Sequence, residues 1–215
     1  MISSLINHKL LRVTIPLQNT MGSISLESGC ILVDKVVLRP SALEDRQMIF
    51  EWLAHSDITS SMIGPPTFPD QPIPSWAEFL ADYEDYYFDG SAPEQGRSFV
   101  IMVDGEPVGQ INYGEIDGER RRTELDIWLK SERHTGKGFG SAALKALTSL
   151  LRREFGVAEF VIRPSTRNPR AIRAYEKAGF RRIEISPEEA IARYGPGDYT
   201  DDTVMIKSAG NTGKP

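Results

Sequence analysis

Arg133-His134-Thr135-Gly136-Lys137-Gly138-Phe139-Gly140-Ser141-Ala142-Ala143-Leu144 lies between a strand-like run and the apolar stripe of a helix. Glycines at alternate positions let the backbone approach an anion closely and can take positive φ. The helix start just beyond supplies unpaired N–H groups and the positive end of the helix dipole. Arg133 and Lys137 add positive charge. Leu144, Leu147, Leu150 and Leu151 then recur at three- and four-residue spacing, which predicts an amphipathic helix with Arg152 and Arg153 in its last turn. Gly156 ends it before a strand over Val157–Arg163. The stretch therefore reads as a phosphate cradle between two sheet strands. A Walker loop fails, because Lys137 is followed by Gly138. A dinucleotide fingerprint fails too, since Ser141 stands where its third glycine belongs. An ordinary glycine-rich turn before a helix is the plain alternative.

A second segment bears on that choice. Asn168-Pro169-Arg170-Ala171-Ile172-Arg173-Ala174-Tyr175-Glu176-Lys177-Ala178-Gly179-Phe180 places a polar cap, a proline at the first helical position, a phenol and a terminating glycine on one short helix. Together, Arg133-x-x-Gly136-x-Gly138 and Asn168–Phe180 resemble the signature and following helix of the GCN5-related N-acetyltransferase (GNAT) superfamily. The similarity is closest to its aminoglycoside 6′-N-acetyltransferase branch, across Gly136–Gly140 and Arg170–Phe180. It is strong from Glu124 to Phe180, weaker from Val36 to Gly114, and absent before Ile31. The resemblance implies an α/β fold with a central mixed, mostly antiparallel sheet, flanked by helices and splayed between its fourth and fifth strands.

Length and composition agree with one domain. A chain of 215 residues, 40% hydrophobic and 26% charged, can bury a substantial core. A single domain is expected over 31–208, after a leader over 1–30 that is disordered or an oligomer contact, and before a disordered tail over 209–215. No apolar run approaches the roughly 20 residues that span a bilayer, and the start shows no signal-peptide pattern. With Cys30 as the single cysteine, no internal disulfide can form. A cytoplasmic protein is expected. Net charge of −5 argues against a nucleic-acid partner. Whether the chain is a monomer or a homodimer is left open. His8, His55 and His134 lack metal-ligand spacing, so no metal is expected.

The remaining elements follow from pattern. Val36–Arg39 reads as the first strand, and a helix from Ala42 to about His55 is predicted with Ser41 as its cap and Glu44 three residues on. Gly64–Pro74 is too rich in proline for either element and reads as a substrate-side loop. Ser75 caps a helix carrying Trp76, Phe79, Leu80 and Tyr83. Arg97–Val103 and Val108–Tyr113 form a hairpin at Asp104-Gly105. Arg122–Leu129 is the fourth strand; helix, strand, helix, strand and strand complete the order. Side-chain alternation puts Glu124, Asp126 and Trp128 on one face of that strand, and Leu125, Ile127 and Leu129 on the other.

Site roles come from the resemblance. It implies acetyl-coenzyme A as co-substrate, its pantetheine arm lying along the backbone of Ile127, Trp128 and Leu129. A strand amide near Trp128 would stabilise the oxyanion of the tetrahedral intermediate. The pyrophosphate would sit on Arg133, Thr135, Gly136, Lys137, Gly138, Phe139 and Gly140, and Asn168 would touch the pantetheine arm. Asp126 matches the acid that positions the amine and accepts its proton, with Glu124 the next candidate, and Tyr175 is the expected general acid. Asp198, Asp201 and Asp202 resemble the branch's acidic return loop, and Asp201 and Asp202 are expected to bind substrate along with Asp126. Acids also cluster at Asp82, Glu84, Asp85 and Asp89, and at Glu115, Asp117 and Glu119. They read either as solvated surface or as a negative basin that steers a cation. Two features depart from the branch: Arg163 precedes Pro164 where an acid is usual, and Ser60, Ser61 and Met62 replace paired aromatics. Arg163 would repel a polyamine if it faced the pocket; otherwise it turns to cofactor phosphate or pairs with a neighbouring acid. The implied activity is N-acetyl transfer to a small cationic amine, an aminoglycoside first. Alternatives are a protein N-terminus, a polyamine, a siderophore hydroxylamine, or a coenzyme A-binding module without catalysis.

Overall fold

The computed structural model describes residues 31–33, 35–60, 73–197 and 199–208. The expected leader and tail, most of the proline-rich loop and Asp198 lie outside them. Eight strands form one sheet in the order β1-β2-β3-β4-β5-β6-β8-β7. They are β1 (Ile31–Val33), β2 (Val36–Pro40), β3 (Arg97–Val103), β4 (Glu106–Tyr113), β5 (Arg122–Leu129), β6 (Glu159–Ile162), β7 (Arg181–Arg182) and β8 (Met205–Ser208). Every pairing is antiparallel except β5 with β6. The predicted fourth and fifth strands are thus β5 and β6, displaced by one because β1 pairs back onto β2. The β3–β4 turn holds Asp104 at φ 50° and Gly105 at φ 83°, the doubly positive turn that matches hairpin twist.

Each face of the sheet is covered by different helices. On one face, α4 (Phe139–Phe155) buries Leu144, Leu147 and Leu151 against Ile101, Ile111, Leu125 and Ile127. The 9-residue α5 (Pro169–Lys177) adds Ile172 and Tyr175 to the same core. On the opposite face, α1 (Arg46–Ala54), α2 (Trp76–Asp82) and α3 (Tyr86–Asp89) bury Ile49, Phe50, Phe79 and Phe88 with Val100 and Trp128. Ile127 and Trp128 therefore point to opposite cores, as alternation requires.

Three local expectations change. The first helix is a 3₁₀ turn at Leu43–Asp45 leading into α1, because the Asp45 carboxylate accepts from Ala42 N–H at 2.8 Å. Ser41 is no cap; its hydroxyl is buried beside that of Ser98 at 3.1 Å. A further helix, α6 (Pro187–Tyr194), precedes β8, started by Ser186 accepting from Glu189 N–H. Ser75 does cap α2, in a reciprocal box with Glu78.

Gly109 has a structural duty that its sequence context hides. A Cβ there would lie 2.5 Å from the carbonyl oxygen of Trp128, so β4 can approach β5 only through a glycine. Gly109→Ala is expected to lower stability by about 1–3 kcal/mol, as overpacking does. Gly118→Ala, where a Cβ meets nothing within 4 Å, serves as the silent control. Thermal unfolding of the two variants checks this: equal midpoints would refute the close-approach reading.

Candidate functional site

The sheet opens at β5. Its parallel pairing with β6 covers Arg122–Glu124 alone, ending at Glu124 opposite Val161. Beyond Ile162, Arg163-Pro164 leads the chain away, and among the described residues the rest of β5 pairs only with β4. Gly114 N–H donates to the carbonyl of Glu124 at 3.0 Å, and Lys130 N–H to that of Val108 at 2.9 Å. These bonds fix the phase of the ladder: even-numbered residues of β5 turn their main chain to β4, while Leu125, Ile127 and Leu129 turn theirs to the gap. The register narrows the choice of amide near Trp128. Trp128 N–H faces β4, and the gap is edged by Ile127 and Leu129.

Asp126 sits beside that edge. Its carboxylate accepts from Ile127 N–H at 2.8 Å, and it forms no ion pair among the described residues. Loss of water around this half-buried group pushes its pKa up to about 6, opposed in part by the Ile127 hydrogen bond. Asn112, its cross-strand partner, donates to the hydroxyl of buried Tyr83 at 2.9 Å. Tyr175 reaches the same region from α5. Burial first, and the Asp126 charge second, raise its phenol well above the ordinary value, so it stays protonated throughout the neutral range.

The glycine segment folds as a cradle. Gly136 and Gly138 take φ 72° and 87°, and a Cβ on either would meet nothing within 4 Å, so the space above them is open. Gly140 differs: its φ is not positive, and a Cβ there would make only ordinary contact with the Ile127 side chain at 3.7 Å. Ala142 N–H makes the first helical bond, to Gly138, which leaves the preceding amides of Phe139, Gly140 and Ser141 at the helix start. His134 senses the local field: burial, then the charges of Arg133, Lys130 and Lys137, hold its pKa below the usual value. An open backbone cradle ringed by cations suits a pyrophosphate. Thr135 lies beside it, its hydroxyl bonded to Glu132 and Arg170. Asn168 accepts from Ala171 N–H at 3.0 Å and starts α5 as expected. Ser141, hydrogen-bonded to the carbonyl of Ala174 at 2.9 Å, fastens α4 to α5.

The acidic residues are arranged differently from a continuous basin. Glu124 is gripped by Arg163, Nε to Oε1 at 2.7 Å and Nη2 to Oε2 at 2.9 Å. Both oxygens of the second catalytic candidate are thus engaged by one guanidinium, unlike those of Asp126. Arg163 itself neither faces the pocket bare nor reaches the cradle. Asp201 is paired with Arg167 at 2.7 Å and accepts from Thr166, so its charge is matched locally. Asp202 joins the sheet margin through a bridge to Ser165. Asp85 pairs with Arg46, and Asp117 with Arg120 and Arg122. No described group of three or more His, Cys, Asp or Glu residues could hold a metal ion. Nor is any described helix long and apolar enough to cross a membrane.

Known proteins share this arrangement. Residues 35–181 match the family model described as an acetyltransferase (GNAT) domain. Aminoglycoside N(6′)-acetyltransferase type 1 of Klebsiella pneumoniae is 33% identical over 160 residues, covering 69% of this chain and 75% of the relative. Spermidine N(1)-acetyltransferase of Escherichia coli K12 is 26% identical over 145 residues, covering 67% and 72%. Among solved structures, the aminoglycoside acetyltransferase AAC(6′)-Ib in complex with coenzyme A and kanamycin superposes with a TM-score of 0.57 at 26% identity, covering 80% of this chain and 94% of that one. The chain therefore belongs to the GNAT family and is an acetyl-coenzyme A-dependent N-acetyltransferase.

Proposed function

We propose that this enzyme acetylates a primary amine of a small cationic acceptor, with the 6′-amine of an aminoglycoside as the first candidate and a polyamine as the second. The observation that carries the reading is Asp126, a carboxylate without an ion pair among the described residues, at the edge of the gap and hydrogen-bonded to the Ile127 amide. The aminoglycoside enzyme of Klebsiella pneumoniae and the spermidine enzyme of Escherichia coli, both relatives of this chain, favour amines of this kind.

The residues divide the work as follows. Asp126 attracts the acceptor's ammonium and takes its proton, releasing the lone pair for attack on the thioester carbon. The gap-facing amide of Leu129, or that of Ile127 once it leaves the Asp126 carboxylate, donates to the carbonyl oxygen as negative charge builds on it. Tyr175 stays neutral and hydrogen-bonds the departing sulfur, which leaves as the thiol by taking the second proton that the acetylated nitrogen sheds as the C–S bond breaks. The amides at Gly136–Gly140, with Arg133 and Lys137, hold the phosphates. A thiol-release assay across aminoglycosides, polyamines, peptides and hydroxylamines tests the acceptor class. Activity confined to peptides or hydroxylamines would refute it.

Two further outcomes separate binding from chemistry. Gly138→Asp is expected to weaken acetyl-coenzyme A at least about tenfold, or ~1.4 kcal/mol, by adding a side chain and a like charge to the cradle. Calorimetry on the folded variant measures this; unchanged affinity would move the phosphate site elsewhere. Asp126 must be ionised to accept a proton, so kcat/KM should fall as pH drops through about 6. Asp126→Asn should remove that limb and lower turnover while leaving acetyl-coenzyme A affinity unchanged. Persistence of the limb in the variant would assign it to another group.

A further inference from the structure

We propose that Arg163 is a specificity-determining residue: by binding Glu124 it cancels a second carboxylate on the acceptor side of β5 and so limits the enzyme's preference for polycations. The inference rests on the reading that a cationic amine approaches through Asp126, and it names what tunes that site.

Glu124 and Asp126 lie two residues apart on one face of β5, hence about 7 Å apart along the strand. Two bare carboxylates at that spacing would make a strong site for an acceptor with several ammonium groups. Arg163 prevents this. Its side chain is 1% exposed, whereas that of Glu124 keeps 29% exposure, so the guanidinium lies beneath the carboxylate and neutralises it from within. The guanidinium is fully engaged: beyond Glu124, Nη1 donates to the Tyr199 hydroxyl at 2.8 Å and to the carbonyl of Pro196 at 3.4 Å. The Tyr199 ring lies 5.1 Å from the guanidinium carbon, and its hydroxyl donates to the carbonyl of Gly195 at 2.8 Å. Gly197 completes the enclosure, since a Cβ there would run into the Arg163 guanidinium. An arginine seated on three sides is a fixed charge. With Asp201 already matched by Arg167, Asp126 is left to discriminate among acceptors.

The experiment compares kcat/KM for kanamycin, which carries several ammonium groups, with that for glucosamine, which carries one, in wild type and three variants at low ionic strength. Arg163→Gln frees Glu124 and is expected to raise the kanamycin-to-glucosamine ratio by about tenfold. The gain should shrink at physiological salt, where screening is stronger. Glu124→Gln leaves the guanidinium uncompensated and should move the ratio below wild type, so the sign is tested even if Arg163→Gln does not fold. The double variant, neutral at both positions, should return the ratio to wild type. An unchanged ratio in folded single variants, a shift of the same sign in both, or no return in the double variant would overturn the inference. If wild type binds acetyl-coenzyme A but acetylates neither amine, the cationic-amine reading falls and takes this inference with it. Amine activity with a ratio indifferent to Arg163 removes this inference alone.

Discussion

Three residue pairs hold β5 to β6, and beyond them the strands part. Ordinarily an interior strand satisfies its main chain on both sides. Here, among the described residues, Leu125, Ile127 and Leu129 turn their main chain to a gap that no strand fills, and the Ile127 amide meets the Asp126 carboxylate instead. An edge of this kind invites an extended ligand to supply the missing hydrogen bonds. On the proposed reading the acetyl carrier does so, because its pantetheine arm carries amides and its pyrophosphate would meet the glycine segment at the start of α4. The helices are subordinate to this gap. α4 brings the cradle to one end of it, α5 brings Tyr175 to its wall, and α1 and α2 close the face that carries Asp126.

The two carboxylates of β5 show how environment separates identical chemistry. Glu124 lies where the strands are still joined, and its charge is balanced by an arginine that β6 delivers from 39 residues away. Asp126 lies just past the parting, where partial loss of water pushes its pKa up to about 6, the charge of Arg163 offsets that rise only in part, and no ion pair forms among the described residues. One becomes a structural charge, and the other remains able to exchange a proton near neutral pH. Breaking the buried pair by removing one partner would ordinarily cost about 3–5 kcal/mol. The 29% exposure of the Glu124 side chain places it toward the low end of that range.

Much of this arrangement was legible because the signals are local. The cradle, the leucine stripe of α4 and the Asn168-Pro169 cap each depend on neighbours within a turn or two of chain. Alternation along Glu124–Leu129 gave the correct faces for the same reason. What escaped depends on contacts distant in sequence. The hydrogen-bonding phase of β5 is set by its register against β4, so alternation alone could not say that Ile127, rather than Trp128, edges the gap. The partner of Arg163 was one of several open to it, and only the meeting of β5 with β6 selects Glu124. The acid clusters read as a possible basin because their arginine partners lie elsewhere in the chain. α6 is a different kind of miss: Ser186-Pro187-Glu188-Glu189 is a local start signal that was present in the sequence.

The most direct test of the gap as the acetyl-coenzyme A seat is amide hydrogen exchange along β5 with and without the co-substrate. Leu129 should exchange markedly more slowly when acetyl-coenzyme A is bound, together with Phe139–Ser141 at the start of α4; the Ile127 amide already donates to the Asp126 carboxylate and is the less sensitive reporter. Asp126 and Trp128, whose amides already face β4, should change little. Unchanged exchange at Leu129 under saturating acetyl-coenzyme A would contradict the central claim that the open edge of β5 receives the co-substrate.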